Sequence, residues 1–420
     1  MRLTGEVLDF IRRDALERFL RYVKIHTTSS EESGTNPSSK NQFELANLLR
    51  EELLSIGVEA IVDEFCYLYA TLPASDGVKS HPISFMAHLD TSPAVSGENV
   101  KPVIHKNYDG GEIRFVDDPN LVLSPKDSPE LLEFVGQDII TASGTTLLGA
   151  DDKAGIAIIM TMVAAFKKFP QLIHPEIRVC FTPDEEIGAG TAKIDISKLG
   201  KVCYTFDGGM IGEIENECFD AMGVKVRFIG LNVHPGYAKG KMINAAGIAA
   251  RFYAMIPEYE TPERTENREG FFHLLKMNGD ESEATLQFII RDFEHSRNEK
   301  RVELLRSLKD FFEKKYCGLK IDIEVKEQYR NFKEVLDKTP EVTEFAIRAI
   351  EMAGIKPIRK AIRGGTDGAR LSFMGIPTPN VFAGGLLFHS KKEWIPVVAF
   401  EKAVEVGINI CKLWAEKVCN

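Results

Sequence analysis

The stretch Ile83-Ser84-Phe85-Met86-Ala87-His88-Leu89-Asp90, residues 83–90, joins an apolar run to two potential metal ligands. Its mostly apolar first five residues are typical of a buried strand. His88 and Asp90 are separated by one residue, so on an extended strand both side chains project to the same face. In an open α/β sheet, the carboxyl ends of the parallel strands form the crevice where ligands bind. The pattern therefore predicts an α/β fold with His88 in a site at the end of a strand.

The same arrangement recurs along the chain, because other apolar runs also lead into acidic or histidine residues. The runs 177–181 and 202–206 precede the sequences PDEE and DGG, and the run 380–382 leads through a Gly-Gly pair to a histidine. Clustered carboxylates and histidines are the ligands that two-metal hydrolases use. The candidate residues are His88, Asp90, Asp151, Asp152, Asp184, Glu185, Glu186, Asp207 and His389.

Composition limits the class of protein. The chain has 420 residues, 44% hydrophobic and 27% charged, which is ordinary for a globular enzyme of two or three domains. A net charge of -10 argues against a nucleic-acid partner, because phosphate binding needs a concentrated basic face. The seven cysteines form no CxxC pair and are expected to be reduced, mostly buried thiols. With no signal-peptide pattern and no apolar run of bilayer length, we expect a cytoplasmic protein without a membrane partner.

The pattern of the chain changes between residues 217 and 330. Alternating strands near 224–229, 284–290 and 319–325 bracket two helical stretches near 244–254 and 294–316. A sheet covered by two helices is typical of a small α+β domain. We therefore expect an inserted α+β lid domain at 217–330. The flanking segments 1–216 and 331–420 would form a discontinuous catalytic domain, with a mostly parallel twisted sheet flanked by helices.

Each candidate ligand also has an ordinary structural explanation. His88 can be a satisfied polar strand end, and Asp151-Asp152 can be a cap and acidic first turn for the apolar helix that follows. Two close metals need a rigidly held bridging carboxylate, and Asp151 at a strand-to-helix turn is the candidate for it. Asp152 is expected to cap its helix, and Lys153 to pair with acidic neighbours. Five such signals at five apolar-strand ends are hard to explain as unrelated turns, so we favour a shared site.

Glu185 and Glu186 are adjacent and cannot both occupy one coordination position. One can bind a metal while the other accepts a proton from a bound water, as metal-assisted hydrolysis requires. The residues alone leave open which glutamate has which role. An acidic surface turn before Gly188 is the alternative.

Several motifs together resemble the peptidase T branch, the aminotripeptidases, of the M20 co-catalytic zinc peptidases. The resemblance covers essentially the whole chain. The motifs are AHLDTSP (87–93), LLGADDKAGIA (147–157), FTPDEEIG (181–188), DGG (207–209), NVHPGYAKG (232–240), IIRDFE (289–294), RGGTDGARLSFMGIPTPN (363–380) and the late His389. The loop GGLLFHSKKEWIP around His389 and the residue Phe206 depart from the pattern of the branch, and we expect the loop beside His389 to affect side-chain preference.

The resemblance implies a role for each matched residue. It implies two Zn²⁺ per subunit, with Co²⁺ or Mn²⁺ as substitutes, and it makes Glu185 the general base or acid and Asp90 the residue that orients His88. It also implies that His234 helps polarise the scissile carbonyl, while Arg291 and Arg363 are candidates for binding the terminal carboxylate of the peptide. The implied metal ligands are His88 and Asp207 at one metal, Glu186 and His389 at the other, and Asp151 as the bridge.

We therefore expect a zinc-dependent aminopeptidase that releases the N-terminal residue from tripeptides through attack of a metal-bridging hydroxide. Another M20 amidohydrolase, such as a dipeptidase, carboxypeptidase or N-acyl amino acid hydrolase, is the nearest alternative. A non-catalytic peptide-binding protein is the alternative from another class. A homodimer formed through the lid domain is a further expectation from the resemblance.

Overall fold

The computed structural model describes residues 3–417. The helices are α1 (Gly5–Tyr22), α2 (Gln42–Ser55), α3 (Ala150–Lys168), α4 (Ala245–Tyr253), α5 (His295–Lys315), α6 (Lys333–Leu336), α7 (Pro340–Met352), α8 (Asp367–Phe373) and α9 (Val398–Glu416). The strands are β1 (Glu59–Val62), β2 (Leu68–Leu72), β3 (Ile83–His88), β4 (Val103–His105), β5 (Ile113–Arg114), β6 (Val122–Leu123), β7 (Ile139–Thr141), β8 (Ile177–Thr182), β9 (Cys203–Gly208), β10 (Glu213–Cys218), β11 (Asp220–Ile229), β12 (Phe271–Gly279), β13 (Glu283–Asp292), β14 (Lys320–Tyr329), β15 (Ile358–Ile362), β16 (Asn380–Phe382) and β17 (Trp394–Pro396).

An eight-stranded sheet in the order β1-β2-β8-β3-β9-β16-β10-β15 contains the candidate ligands His88 and Asp207. Its four central strands β8, β3, β9 and β16 are parallel. The pairs β1-β2, β2-β8 and β16-β10 are antiparallel. The predicted α/β class is confirmed, but the sheet is mixed, because antiparallel pairs flank its parallel centre. The strands β1, β2, β10 and β15 were not predicted, and these antiparallel pairs all involve the first three of them.

Strand β3 is buried on both faces, which explains its continuous apolar sequence. Phe85 packs into the main core together with helices α1, α3 and α9. Met86, the next residue, points to the opposite face and packs with Cys180, Cys203 and Leu371. Fully burying one such large side chain contributes about 1.5–3 kcal/mol. This burial fixes the position of the strand end at which His88 lies.

A four-stranded antiparallel sheet in the order β12-β13-β11-β14 forms a second core with helices α4 and α5. Buried and more exposed residues alternate along β13, so one face of the sheet packs against the helices. The sequence predicted three of these strands and both helices, and it missed β12. Most of the residues of β12 are exposed or partly exposed, and its apolar residues occur as the pairs Phe271-Phe272 and Leu274-Leu275 without the strict alternation that marks β13.

The chain separates into two compact units. The larger contains the residues up to Asn216, Glu334–Lys360 and the residues from Thr366 onward, and the smaller contains Glu217–Lys333 and Ala361–Gly365. The segment Ala361–Gly365 was expected in the flanking domain. Its placement in the smaller unit follows from contacts there, such as the hydrogen bond from the Phe219 N–H to the Ile362 carbonyl (3.1 Å).

The sequence also predicted reduced, mostly buried cysteines and no membrane-spanning segment. Cys66, Cys180, Cys203, Cys218 and Cys411 are free and buried, Cys317 is free and exposed, and Cys419 lies outside the described residues. Among residues 3–417, no helix has both the length and the apolar character that a membrane span requires.

Candidate metal centre

Three parallel strands deliver candidate ligands to one edge of the sheet. Strand β3 ends at His88, which is paired in register with Thr182 at the end of β8. Asp207 is the penultimate residue of β9. The chain beyond Thr182 contains Asp184, Glu185 and Glu186. Helix α3 begins at the same edge, and the backbone at Asp151 and Asp152 departs from helical geometry. The crevice expected at the carboxyl ends of the strands is therefore lined by acidic and histidine side chains.

The two oxygens of Asp151 face two different histidines. Asp151 Oδ1 lies 2.9 Å from His88 Nε2, and Asp151 Oδ2 lies 3.1 Å from His389 Nε2. His88 Nε2 is also 3.6 Å from Asp207 Oδ1, and His389 Nε2 is 2.8 Å from Glu186 Oε2. Two clusters of one histidine and two carboxylates thus share Asp151. This is the arrangement that a bridging ligand between two metals requires.

Asp152 contributes more than the expected helix cap. Its Oδ1 accepts a hydrogen bond from the Gly155 N–H (3.1 Å), which is a capping contact, and its Oδ2 accepts one from the His88 N–H (3.2 Å). Ligand atoms of His88, Asp152 and Asp207 also lie within 4.8 Å of one another, as do those of His88, Asp151 and Glu186. Asp152 therefore joins the start of α3 to the end of β3.

Asp90 connects His88 to the two glutamates. The closest contact of His88 Nδ1 is the Asp90 carbonyl at 3.0 Å, and the Asp90 carboxylate is at 3.4 Å. A donor bond from Nδ1 to that carbonyl leaves Nε2 free to bind a metal on the side of Asp151. The Asp90 carboxylate accepts hydrogen bonds from the backbone N–H groups of Glu185 (2.9 Å) and Glu186 (3.2 Å). Asp90 thus holds the backbone of both glutamates as well as the histidine.

The surroundings of the two glutamates differ. Glu186 contacts His389, and its other oxygen Oε1 is buried and accepts no hydrogen bond from any residue between 3 and 417. An orphaned buried carboxylate oxygen is costly unless a cation binds it. Burial raises the pKa of Glu185 well above its usual range. Glu185 lies near His88, Asp207 and Asp367 in a small cavity behind the strand ends.

The charges in the cluster alter the proton affinities of its members. Hydrogen bonds to Asp151 and Glu186 raise the pKa of His389 to about 10. Burial alone would raise the pKa of Asp151, but hydrogen bonds with His389 and His88 hold it below its usual value. Burial raises the pKa of Asp207 to about 7. The clustered imidazoles and carboxylates offer nitrogen and oxygen ligand atoms that suit divalent cations.

The sequence indicates no specific role for Asp184 within the PDEE motif. In the structure its carboxylate and its N–H form several hydrogen bonds. It is fully buried, its backbone is left-handed (φ 58°), and its carboxylate accepts bonds from Asn36 Nδ2, Ser38 N–H, Ser38 Oγ and Gln42 Nε2. The Asp184 N–H donates to Gln42 Oε1 (3.2 Å). The loop before α2 therefore fixes the backbone from which Glu185 and Glu186 follow.

Two further buried charged groups were not predicted at the site. Glu393, four residues after His389, accepts hydrogen bonds from three backbone N–H groups around Asp151. Asp367 is buried and accepts a hydrogen bond from Thr182 Oγ1 (2.8 Å). Glu393 and Asp367 lie in the sequences HSKKE and TDG. These sequences do not indicate which groups the two carboxylates contact in the folded chain.

Within residues 3–417, Lys153 forms no salt bridge with an acidic side chain, so the expected pair is absent there. Its Nζ donates to the Ile25 carbonyl (2.6 Å), and burial lowers its pKa to about 7. A lysine that follows two acidic residues suggests an ion pair, but the direction of the helix sends it into the interior beside α1.

The three candidate substrate-binding residues all belong to the smaller unit. His234 is exposed and its Nδ1 accepts a hydrogen bond from the Gly236 N–H (3.1 Å). Arg291 donates to the carbonyls of Met222 (3.3 Å) and Ile290 (3.0 Å). Arg363 donates to carbonyls of residues 265, 267 and 269, and its guanidinium lies 5.1 Å from the ring centre of Phe219. Arg363 therefore organises a loop of its own unit.

Comparison with known proteins bears on the class of this chain. The model of peptidase family M20/M25/M40 matches residues 141–414, a range that includes Asp151 and His389. Peptidase T of Clostridium acetobutylicum is 48% identical over 406 residues, which are 96% of this chain and 100% of that protein. Peptidase T of a Geobacillus species is 47% identical over 409 residues, 97% of this chain and 100% of that protein. The crystal structure of aminopeptidase PepT from Bacillus cereus superimposes with a TM-score of 0.75 at 26% identity, covering 96% of this chain and 99% of that one. The chain belongs to peptidase family M20/M25/M40 and, within it, to the peptidase T proteins.

Proposed function

We propose that this protein is a dinuclear metal-dependent aminopeptidase that releases the N-terminal residue from tripeptides. The observation that carries the proposal is the pair of clusters that share Asp151, one with His88 and one with His389. The resemblance to the aminotripeptidases and the relatives named peptidase T support the substrate class. A cytoplasmic location and a homodimer stay predictions.

The residues present fit two divalent ions. We propose that His88 and Asp207 bind one ion, Glu186 and His389 bind the other, and Asp151 bridges them. Nitrogen and carboxylate oxygen ligands suit Zn²⁺, and they also suit Co²⁺ and Mn²⁺. The buried, unpaired Glu186 Oε1 supports this, because a cation would satisfy it. When bound, the ions would polarise the scissile carbonyl and lower the pKa of a coordinated water.

Glu185 is the proposed general base. Its neighbour Glu186 faces His389, so the turn that carries both side chains gives them different directions. The Asp90 carboxylate holds the Glu185 N–H, and this bond fixes the base relative to His88. A carboxylate at this position would take a proton from water and return it to the leaving amine.

The smaller unit is proposed to act as a lid that recognises the peptide. His234 would donate to the developing oxyanion, and Arg291 would bind the terminal carboxylate. Arg363 is the weaker of the two arginine candidates, because its Nη1 and Nη2 both bind backbone carbonyls, whereas the carbonyl bonds of Arg291 come from Nη1.

The test is a panel of three substrates with and without chelator: an unblocked tripeptide, its N-acetylated form, and the matching dipeptide. Release of the first residue from the free tripeptide alone, abolished by chelator and restored by Zn²⁺, is the expected result. Preference for the N-acetylated substrate or the dipeptide would replace the proposal with another M20 amidohydrolase activity. Binding of all three without turnover in the metal-loaded protein would indicate a peptide-binding role.

A further inference from the structure

We propose that Glu393 is a positioning residue that couples the bridging ligand Asp151 to the loop that carries His389. One oxygen, Oε2, accepts hydrogen bonds from the N–H groups of Leu148 (2.8 Å) and Gly149 (2.8 Å). The other, Oε1, accepts a bond from the Asp151 N–H (3.1 Å). A single side chain thus holds three amides of the turn that ends at the bridging carboxylate.

The turn is shaped to receive a carboxylate. Gly149 has a left-handed backbone (φ 80°), a conformation that costs glycine little and that reverses the chain before α3. Successive backbone N–H groups in such a turn point to one side and form a concave anion-binding surface. Glu393 occupies it with only 1% of its surface exposed, although it is 242 residues from Asp151 in the sequence.

The other end of the connection is the loop with His389. Leu386 and Trp394 exchange two backbone hydrogen bonds (2.9 and 3.1 Å), which close the loop at its base, and the Glu393 N–H donates to the Ser390 carbonyl (3.3 Å). His389 and Glu393 therefore lie on one closed loop. A displacement of the carboxylate would move the loop relative to the Asp151 turn and change the separation of two ligands of the same ion.

The inference rests on the proposed metal centre, and it predicts an effect on metal affinity. Loss of a group that orients a ligand typically weakens metal binding by about 10–100-fold. Glu393→Gln keeps the shape of the side chain but places an NH₂ group against backbone N–H donors. We expect the full-length variant to bind its second equivalent of metal about 10–100-fold more weakly than the unaltered protein.

The experiment is equilibrium dialysis of the metal-free, full-length protein against buffered Co²⁺, with the visible absorption of bound Co²⁺ as a second readout. Glu405→Gln is the matched control, because Glu405 is also buried (5% exposed) but lies on α9 and pairs with Lys402 (2.9 Å). Glu405→Gln is expected to lower the midpoint of thermal unfolding and to leave Co²⁺ affinity unchanged.

Glu393→Asp covers the case in which Glu393→Gln fails to fold. It keeps the charge but shortens the side chain by one methylene, so we expect it also to weaken the second equivalent. Binding of both equivalents with unaltered affinity in either folded Glu393 variant would overturn the inference, as would an equal loss of affinity in Glu405→Gln. If the unaltered protein binds no second ion at all, the proposed function itself fails, and that outcome is distinct from the others.

Discussion

Replacing Gln42 by leucine tests whether the contact between α2 and Asp184 positions the catalytic turn. Gln42 and Asp184 are both fully buried and exchange two hydrogen bonds, of 2.6 and 3.2 Å. A hydrogen bond to a charged group contributes about 1.5–3 kcal/mol, and a buried N–H left without a partner costs about 1–3 kcal/mol. Gln42→Leu loses the first and creates the second, so we expect the free energy of unfolding to fall by about 4 kcal/mol.

The activity should fall as well, for a geometric reason. Asp184 has a left-handed backbone, which is unfavourable for a residue with a side chain and is held by its hydrogen bonds. Glu185 and Glu186 follow directly, so relaxation at Asp184 would move the proposed base and one ligand together. We expect kcat to fall by about tenfold or more while KM changes less, because a small misplacement of reacting groups is costly.

The measurement is a urea unfolding curve together with initial rates on an unblocked tripeptide, both in the presence of Zn²⁺. Asn409→Leu is the control, because Asn409 is a buried amide on α9 that donates to the Ala349 carbonyl (3.2 Å). It should lose stability and keep its kcat. A Gln42→Leu protein that loses stability but keeps full kcat would refute the positioning argument, and one with unchanged stability would refute the energetic one.

Three other predictions follow from the centre and its surroundings. Glu185→Ala should keep both metals by elemental analysis and lose about 10²–10⁴-fold in kcat, and a near-normal rate would remove Glu185 as the base. Asp207→Ala should lower the metal content of the purified protein, whereas a full complement would show that Asp207 is not a ligand. Burial raises the pKa of Glu215 from 4.5 to about 8, so the folded state binds more protons than the unfolded state in that range and stability should fall as the pH rises from 4.5 to 8. Glu215→Gln should flatten this dependence in thermal unfolding measured at several pH values, and an unchanged slope would contradict the burial argument.

The central strands and the residues at their ends were predictable because buried parallel strands have continuous apolar sequences. The β3 sequence, with Phe85 and Met86 on opposite faces, is an example. The family resemblance and the peptidase class are confirmed by the relatives and the family match. The ligand and catalytic assignments, which came from the resemblance, stay predictions, and the structure shows only that the side chains lie together.

The parts that could not be predicted depend on contacts between distant segments. Asp184 looked like a member of an acidic turn, and its partners Ser38 and Gln42 lie about 140 residues earlier. Glu393 could not be singled out from its sequence, because its partners are backbone N–H groups, which have no sequence signature. Strand β12 was missed since its apolar residues do not alternate strictly with polar ones. In each case the information lies in the tertiary arrangement of the backbone.

The order of strands in the large sheet has a consequence for synthesis of the chain. Strand β16 (Asn380–Phe382) lies between β9 and β10, which precede it by more than 160 residues. A nascent chain that has not yet reached Asn380 leaves one edge of each of those strands without its partner, and open edges are prone to pair with other chains. The histidine of the second cluster, His389, also emerges only after β16. Completion of the sheet and completion of the proposed centre therefore both wait for synthesis of residues 380–389, and a chain terminated before them would be both aggregation-prone and unable to assemble the second metal position.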